Sequence, residues 1–317
     1  MQNVRDVDFC IKSLDDESPE VRAIAAKALG KVKEKRAEEA LIGLLEDYSS
    51  AVRIDAVKAL TLNGSGNAVE PLIKQLADKD PAIRIRIVEA LGNIKDRRST
   101  LPLINCMEDE APEVRLAAIR ALGTLGDERA EKALIAKLEE GPLELRNHVV
   151  LALGKLGGKK AAVELIPRLL DKDSELRKRV AEALGKLGDL RAVEPLLMCL
   201  QDESQEVRNA AAYSLGVLRA DKAVSPLIEM LEEEDSELRI TSVYALGEIG
   251  NYKAVKPLLG LLDDSNSWIR RYATEALGKI GDQKVIPLLV KKINDPDPEV
   301  RWSIAEALRI LDSRSPQ

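Results

Sequence analysis

The chain has 317 residues, a formal net charge of −6 and 45% hydrophobic residues, but only 3% aromatics and a single Phe. Both signs of charge are interspersed, which argues against a general nucleic-acid or membrane-surface binder. No stretch approaches the ~20 apolar residues of a membrane span, and so few aromatics exclude a bulky core, leaving Ala, Leu, Val and Ile to fill small gaps.

Residues 3 to 15 read as a lone helix, with Val7, Phe9, Cys10, Ile11 and Leu14 available to pack. Asp6 and Asp8 make this N-terminus unlike a signal peptide. From there one pattern recurs every 31 residues, marked by Arg22, Arg53, Arg84, Arg115, Arg146, Arg177, Arg208, Arg239, Arg270 and Arg301. Six residues before each arginine stands an acid: Asp16, Asp47, Asp78, Asp109, Glu140, Asp171, Asp202, Glu233, Asp264 and Asp295. A fixed period in this range marks a repeat architecture.

Apolar or small positions fall at −1, +3, +6, +7 and +10 from the arginine, the spacing of a helix with one buried face. Pro19, Pro81, Pro112 and Pro298, or a serine at that place, open this helix, here termed A. Gly30, Gly92, Gly123, Gly154, Gly185, Gly216, Gly247 and Gly278 follow its leucine. A glycine inside a helix costs roughly 1 kcal/mol against alanine, so the expected reason is close approach of a neighbouring helix. Gly126, Gly157, Gly188, Gly250 and Gly281 suit the left-handed residue that ends helix A. After a polar turn comes helix B, with Pro71, Pro102, Pro195, Pro226 and Pro257 in its first turn. Each helix pair is too small to bury its own face and must stack on its neighbours.

Three places break the pattern. Thr61-Leu62-Asn63-Gly64-Ser65-Gly66 predicts a helix A that ends early. The turn at Gly141-Pro142 is rebuilt, and Pro167 falls well inside a helix B, where a kink is expected. Pro287 arrives one residue early and predicts a shortened A–B turn. The tail Asp312–Gln317 reads as frayed.

An acid six before Val-Arg, then Ala-Leu-Gly, then Ala-Val-Glu-Pro-Leu at 192–196, resembles the phycobilin-lyase-type HEAT-like repeats. The resemblance implies an all-α, right-handed α-solenoid of stacked antiparallel helix pairs. It would form a single continuous domain over 1–317: a half repeat 1–15, then repeats starting near 16, 47, 78, 109, 140, 171, 202, 233, 264 and 295. It also implies that the acids and arginines form a ladder between neighbouring units, and that the B helices line the concave side.

Chemistry is sparse. His148 is the one histidine and reads as a surface residue, and no Cys pair stands at ligand spacing, so no metal or other cofactor is expected. Cys106 and Cys199 share a helix B position three repeats apart, and with Cys10 they read as reduced thiols of a cytoplasmic protein. No phosphate-binding glycine loop occurs. What varies between repeats is the helix B surface: Glu39, Glu70, Lys132, Glu194 and Lys256 in one row, and Lys74, Asn105, Met198 and Glu229 in another. Tyr213, Tyr244, Trp268, Tyr272 and Trp302 gather in the last third, where Tyr213 and Tyr244 share a repeat position. The basic stretch from Lys155 to Arg191, with Lys178 and Arg179 facing outward, reads as a solvated face. The expected function is a non-enzymatic, monomeric protein-binding scaffold or adaptor with another protein as partner. The alternative implied by the resemblance is an accessory or catalytic subunit of a phycobilin lyase-like bilin-attachment or cofactor-maturation system.

Overall fold

A computed structural model describes residues 2–64, 66–158 and 160–313, with the side chains of 2–6 and 140 excepted. Twenty α-helices and no strand occur among the described residues. The chain divides into two compact units, Met1–Gly158 and Lys159–Gln317.

The first unit holds α1 (Gln2–Lys12), α2 (Pro19–Leu29), α3 (Lys35–Gly43), α4 (Ser50–Asn63), α5 (Val69–Lys74), α6 (Pro81–Ile94), α7 (Thr100–Cys106), α8 (Pro112–Leu125), α9 (Glu131–Glu140) and α10 (Leu143–Leu156). The second holds α11 (Ala161–Leu165), α12 (Ser174–Leu187), α13 (Val193–Cys199), α14 (Gln205–Val217), α15 (Val224–Glu229), α16 (Ser236–Ile249), α17 (Val255–Gly260), α18 (Ser267–Ile280), α19 (Ile286–Lys291) and α20 (Pro298–Ser313). Even-numbered helices are A and odd-numbered ones B. Within each unit every A helix packs on the next A helix and on a neighbouring B helix, so both units are all-α solenoids of stacked helix pairs.

The local causes are visible at the termini. Pro19, Pro81 and Pro112 occupy the first turn, where a missing N–H costs nothing. The capping side chain stands one residue earlier than the sequence suggested: Asp80 accepts from the Ala82 N–H, Asp173 from Leu176 and Asn266 from Trp268. The serines at the proline position (Ser174, Ser236, Ser267) are instead the first helical residues. Helix B is a short α-helix flanked in most repeats by 3-10 turns, as at 97–99 before α7 and 75–77 after α5.

Glycine inside helix A marks helix contact. A Cβ on Gly92 of α6 would lie 2.8 Å from the Ala121 Cβ of α8. The small residue at +6 is the other half of this contact. Where it is Ser214 instead of alanine, its buried hydroxyl donates to the Ala181 carbonyl of α12 at 2.8 Å.

Several expectations need correction. α4 runs its full length to Asn63, because Gly64 takes the left-handed conformation (φ 62°) that other repeats place at the same position. The helix that ends early is α2, at Leu29. Pro167 makes no kink inside an α-helix: α11 stops at Leu165 and residues Ile166–Leu170 continue as a 3-10 turn, which tolerates the proline at its start. Pro287 does not shorten its turn, since α19 starts at Ile286, the same distance from Arg270 as Val255 of α17 is from Arg239. Phe9 is 72% exposed, since the buried stripe of α1 and the turn after it runs through Val7 and Leu14, spaced as a helix face, and misses residue 9. His148 is half-buried on α10. Lys178 and Arg179 are also half-buried, each paired with Glu175. α20 includes Asp312 and Ser313; the rest of the tail, 314–317, lies outside the described residues, as does Ser65.

Candidate functional site

Two sets of side chains separate in each unit: one locked between repeats, one free on the B helices. The locked set begins with the arginines. In the first unit Arg22 binds Asp47, Arg53 binds Asp78 and Arg84 binds Asp109, each through two N–H donors to two carboxylate oxygens. In the second, Arg177 and Arg270 bind Asp202 and Asp295 in the same way, and Arg239 reaches Asp264 at 2.6 Å. The pairing therefore joins one repeat's arginine to the next repeat's acid. The third donor group goes backwards: Nη1 of Arg53, Arg84, Arg115, Arg208 and Arg301 donates to the carbonyl of Asp47, Asp78, Asp109, Asp202 and Asp295 at 2.8 Å. Among the described residues the Asp16 carboxylate accepts from the Ser18 N–H, and the Asp171 carboxylate accepts from the Asp173 N–H. The Glu140 side chain lies outside the described residues.

The electrostatics follow. Burial alone would push the Asp47, Asp109 and Asp202 carboxyls up. The arginine donors and the backbone N–H two residues on outweigh it and hold all three below the ordinary carboxylate range. Paired guanidiniums are raised in turn, as for Arg84 beside Asp109.

A second set of locked residues escaped the sequence reading. In the A–B turns Asp96, Asp127 and Asp189 each accept from the N–H two residues on, and the arginine there (Arg98, Arg129, Arg191) folds back on the same carboxylate. Arg98 also donates to the Gly66 carbonyl of the preceding turn at 2.6 Å. The arginine beside each aspartate holds its carboxyl below the usual range. The available signal was an acid at +12 and a base at +14 from the repeat arginine, present at Glu34/Arg36, Asp96/Arg98, Asp127/Arg129, Asp189/Arg191 and Asp282/Lys284 but not in the other repeats.

The free set lies on the B helices. Glu39 (α3), Glu70 and Lys74 (α5), Asn105 (α7) and Lys132 (α9) are all exposed in the first unit, as are Glu194 and Met198 (α13), Glu229 (α15) and Lys256 (α17) in the second. Their helices bury the opposite stripe, through residues such as Leu41, Leu72, Leu103 and Leu134, or Leu196, Leu227 and Leu258. Glu70 lies 3.6 Å from Arg98, Glu39 lies 3.6 Å from Lys35, and Glu194 pairs with Lys222. Lys74, Lys132, Glu229 and Lys256 form no ion pair among the described residues. Leu101, 62% exposed, falls in the same row between Glu70 and Lys132. These rows contain no nucleophile–base pair, and no group of three or more His, Cys, Asp or Glu among the described residues could hold a metal ion. Among the described residues no helix is long and apolar enough to cross a membrane.

Where α2 ends early, the chain at 30–34 leaves a cavity of about 560 Å³ lined by Val7, Cys10, Leu29 and Val32. All three cysteines are free, with Cys106 and Cys199 buried.

Antiparallel helix pairs, a repeat-fixed ladder and small-residue contacts define a helical repeat solenoid. A family model described as HEAT repeats matches residues 7–69, 69–142, 131–216, 193–277 and 257–317, and the chain belongs to that family. No curated protein matches it. Among solved structures it is similar to importin β (15% identical, TM-score 0.65), over 97% of this chain and 51% of that one. It is also similar to Kap95p (13%, TM-score 0.69; 96% and 50%) and to an engineered protein (22%, TM-score 0.50; 97% and 99%). The chain thus spans about half the length of the importin β and Kap95p chains. At such identities the likeness shows the fold.

Proposed function

We propose that the chain is a non-enzymatic, monomeric, cytoplasmic protein-binding scaffold whose B helices present the contact surface, concave in the HEAT-like arrangement. One observation carries this reading. The residues that repeat are buried or hydrogen-bonded between units, whereas all nine variable helix B residues are exposed. A surface of this kind can change residue by residue without disturbing its framework. Kap95p, which shares the fold, is a protein whose binding induces the switch loops of RanGDP to adopt the GTP-bound conformation, and HEAT solenoids commonly serve as interaction scaffolds. Within the family we place the repeats with the phycobilin-lyase type, on Val-Arg, Ala-Leu-Gly and Ala-Val-Glu-Pro-Leu at their 31-residue period.

The test is capture of the partner on the immobilised wild-type chain from the native cell, repeated with two charge-reversal pairs. Lys74→Glu with Lys132→Glu alters the first unit, and Glu194→Lys with Glu229→Lys the second. Loss of the partner from at least one pair, with unchanged circular dichroism, supports the surface. Undiminished capture by both pairs removes it.

A further inference from the structure

The A helices of the second unit bring together side chains that play no part in the B-face reading. Tyr213 of α14 and Tyr244 of α16 stand five residues after Arg208 and Arg239. Their rings stack with centroids 5.4 Å apart and planes 9° from parallel. Tyr244 covers one face of Tyr213, yet Tyr213 remains 45% exposed. It forms a wall of a cavity of about 470 Å³ on the surface of α12, α14 and α16. Glu182, Glu206, Glu237, Lys178, Lys186 and Asn209 are among the other residues of its lining.

The charge around this ring is unbalanced. Three carboxylates face two ammonium groups, and one of those, Lys178, lies 3.6 Å from Glu175. Glu206 accepts from the Ser204 hydroxyl at 2.7 Å. That bond and its own backbone N–H, with smaller contributions from the Lys178 and Arg208 charges, hold the carboxyl below the ordinary range, so it is charged at neutral pH. Glu232, Glu233 and Glu234, in the segment that leads into α16, are all exposed.

Elsewhere the chain places its own cations on its aromatic rings. The Arg22 guanidinium lies 4.5 Å from the Tyr48 centroid, Arg271 lies 5.4 Å from Trp268, and Lys279 lies 5.1 Å from Tyr244. The residue one period before Lys279 is Glu248, a carboxylate. No cation of the chain lies over the Tyr213 ring among the described residues. An exposed aromatic surface beside carboxylates that outnumber the lining cations fits a cation supplied from outside. A flat guanidinium can stack on the ring and at the same time present paired N–H donors to a carboxylate, which a lysine ammonium cannot do.

We propose that this cavity is a second interaction site, seating an arginine side chain from a basic segment of a partner protein against Tyr213, with Glu206 and Glu237 as its ion-pair partners. Residues of this type are those enriched at the energetic centres of interfaces. The proposal does not rest on the B-face reading, and either can fail alone.

The probe is a short Gly-Ser peptide carrying two arginines, titrated into the full chain with its tyrosine rings isotopically labelled for NMR. Among the five tyrosines, shifts should be confined to Tyr213 and Tyr244, and a citrulline version of the peptide should produce none. Tyr213→Leu should weaken binding about two- to fivefold. Glu206→Gln with Glu237→Gln should weaken it at least as much and flatten its salt dependence. These exposed positions should leave thermal stability unchanged. No binding at millimolar peptide, equal binding of the citrulline peptide, shifts spread over all the tyrosines, or wild-type affinity in both variants would overturn the proposal.

Discussion

Arg84 donates to both carboxylate oxygens of Asp109, 25 residues downstream, at 2.9 and 2.8 Å, while its remaining Nη1 donates to the Asp78 carbonyl of its own repeat at 2.8 Å. One side chain thus fixes the turn before its own helix and the turn of the next repeat. Arg84 is 5% exposed, and its charge is balanced chiefly by that carboxylate, with the exposed Glu110 3.2 Å from Nη2.

Asp109→Ala should therefore cost on the order of 2–3 kcal/mol, because it leaves a buried guanidinium with only the exposed Glu110 carboxylate as its ion-pair partner. Asp16→Ala removes the same residue type at the same repeat position, where among the described residues the carboxylate accepts from the Ser18 N–H. Its cost should stay near the ~1 kcal/mol of a cap. Urea unfolding followed by circular dichroism compares the two, and hydrogen exchange should place the Asp109 effect in α6 and α8. Equal costs would contradict the pairing.

Acid should weaken the same contacts. The carboxyls of Asp47, Asp109, Asp202 and Asp295 titrate below their unfolded value in the folded chain. A depressed folded-state pKa contributes stability that is fully present above the unfolded value, near ~3.9, and is lost as pH falls through the folded one. The urea midpoint should accordingly hold level from pH 7 to about 5 on this account and drop below about 4. A midpoint that rises on acidification below pH 4 would be the opposite sign.

The glycines split into two classes. A side chain on Gly92 would press on Ala121, with distances of 2.8 Å to Cβ and 2.9 Å to Cα, so Gly92→Val should destabilise by about 1–3 kcal/mol through overpacking. Gly43, at the end of α3, has nothing within 4 Å of an added Cβ. Gly43→Ala should stabilise by up to about 1 kcal/mol. Thermal melts of both variants read the contrast, and a stable Gly92→Val would refute the close approach.

Much of this arrangement was legible in the residues, for reasons the helices make clear. The 31-residue period specified the order of A and B helices because each apolar stripe has one stacking partner on either side. The helix-interior glycines signalled close approach because nothing else offsets their cost. The end of α2 was not legible. Its turn carries Glu34 where the third repeat has Asp96, and only the short aspartate side chain reaches the N–H two residues on; Glu34 makes no cap. With that cap, even Lys95 takes the left-handed conformation (φ 59°) that closes α6. The Asp–Arg pairs of the A–B turns were missed because they recur in only some repeats, at Asp96/Arg98, Asp127/Arg129 and Asp189/Arg191, unlike the ladder acid that stands in every one. Which exposed residues touch a partner lies beyond any single sequence, since exposure alone does not distinguish a contact from a solvated side chain.

The thiols provide a local check. Burial pushes Cys106 and Cys199 up to about 11, with Asp109 and Asp202 adding to the effect. At pH 8 both should resist iodoacetamide in the folded chain and react once it is unfolded. Cys10, half-buried at the cavity beside α2, should be alkylated first. Rapid native labelling of Cys106 or Cys199 would show that the B helices open far more readily than their packing implies.

The central claim, that the B helices form the contact surface, is tested most directly by site-specific photo-cross-linking in the native cell. A benzophenone amino acid is placed in turn at Lys74, Asn105, Lys132, Met198, Glu229 and Lys256, with Lys27 and Lys58 on A helices of the first unit as controls. The account expects one partner protein to be cross-linked from several of the B positions and from neither control. Cross-links from Lys27 or Lys58 alone, with none from the B helices, would contradict it.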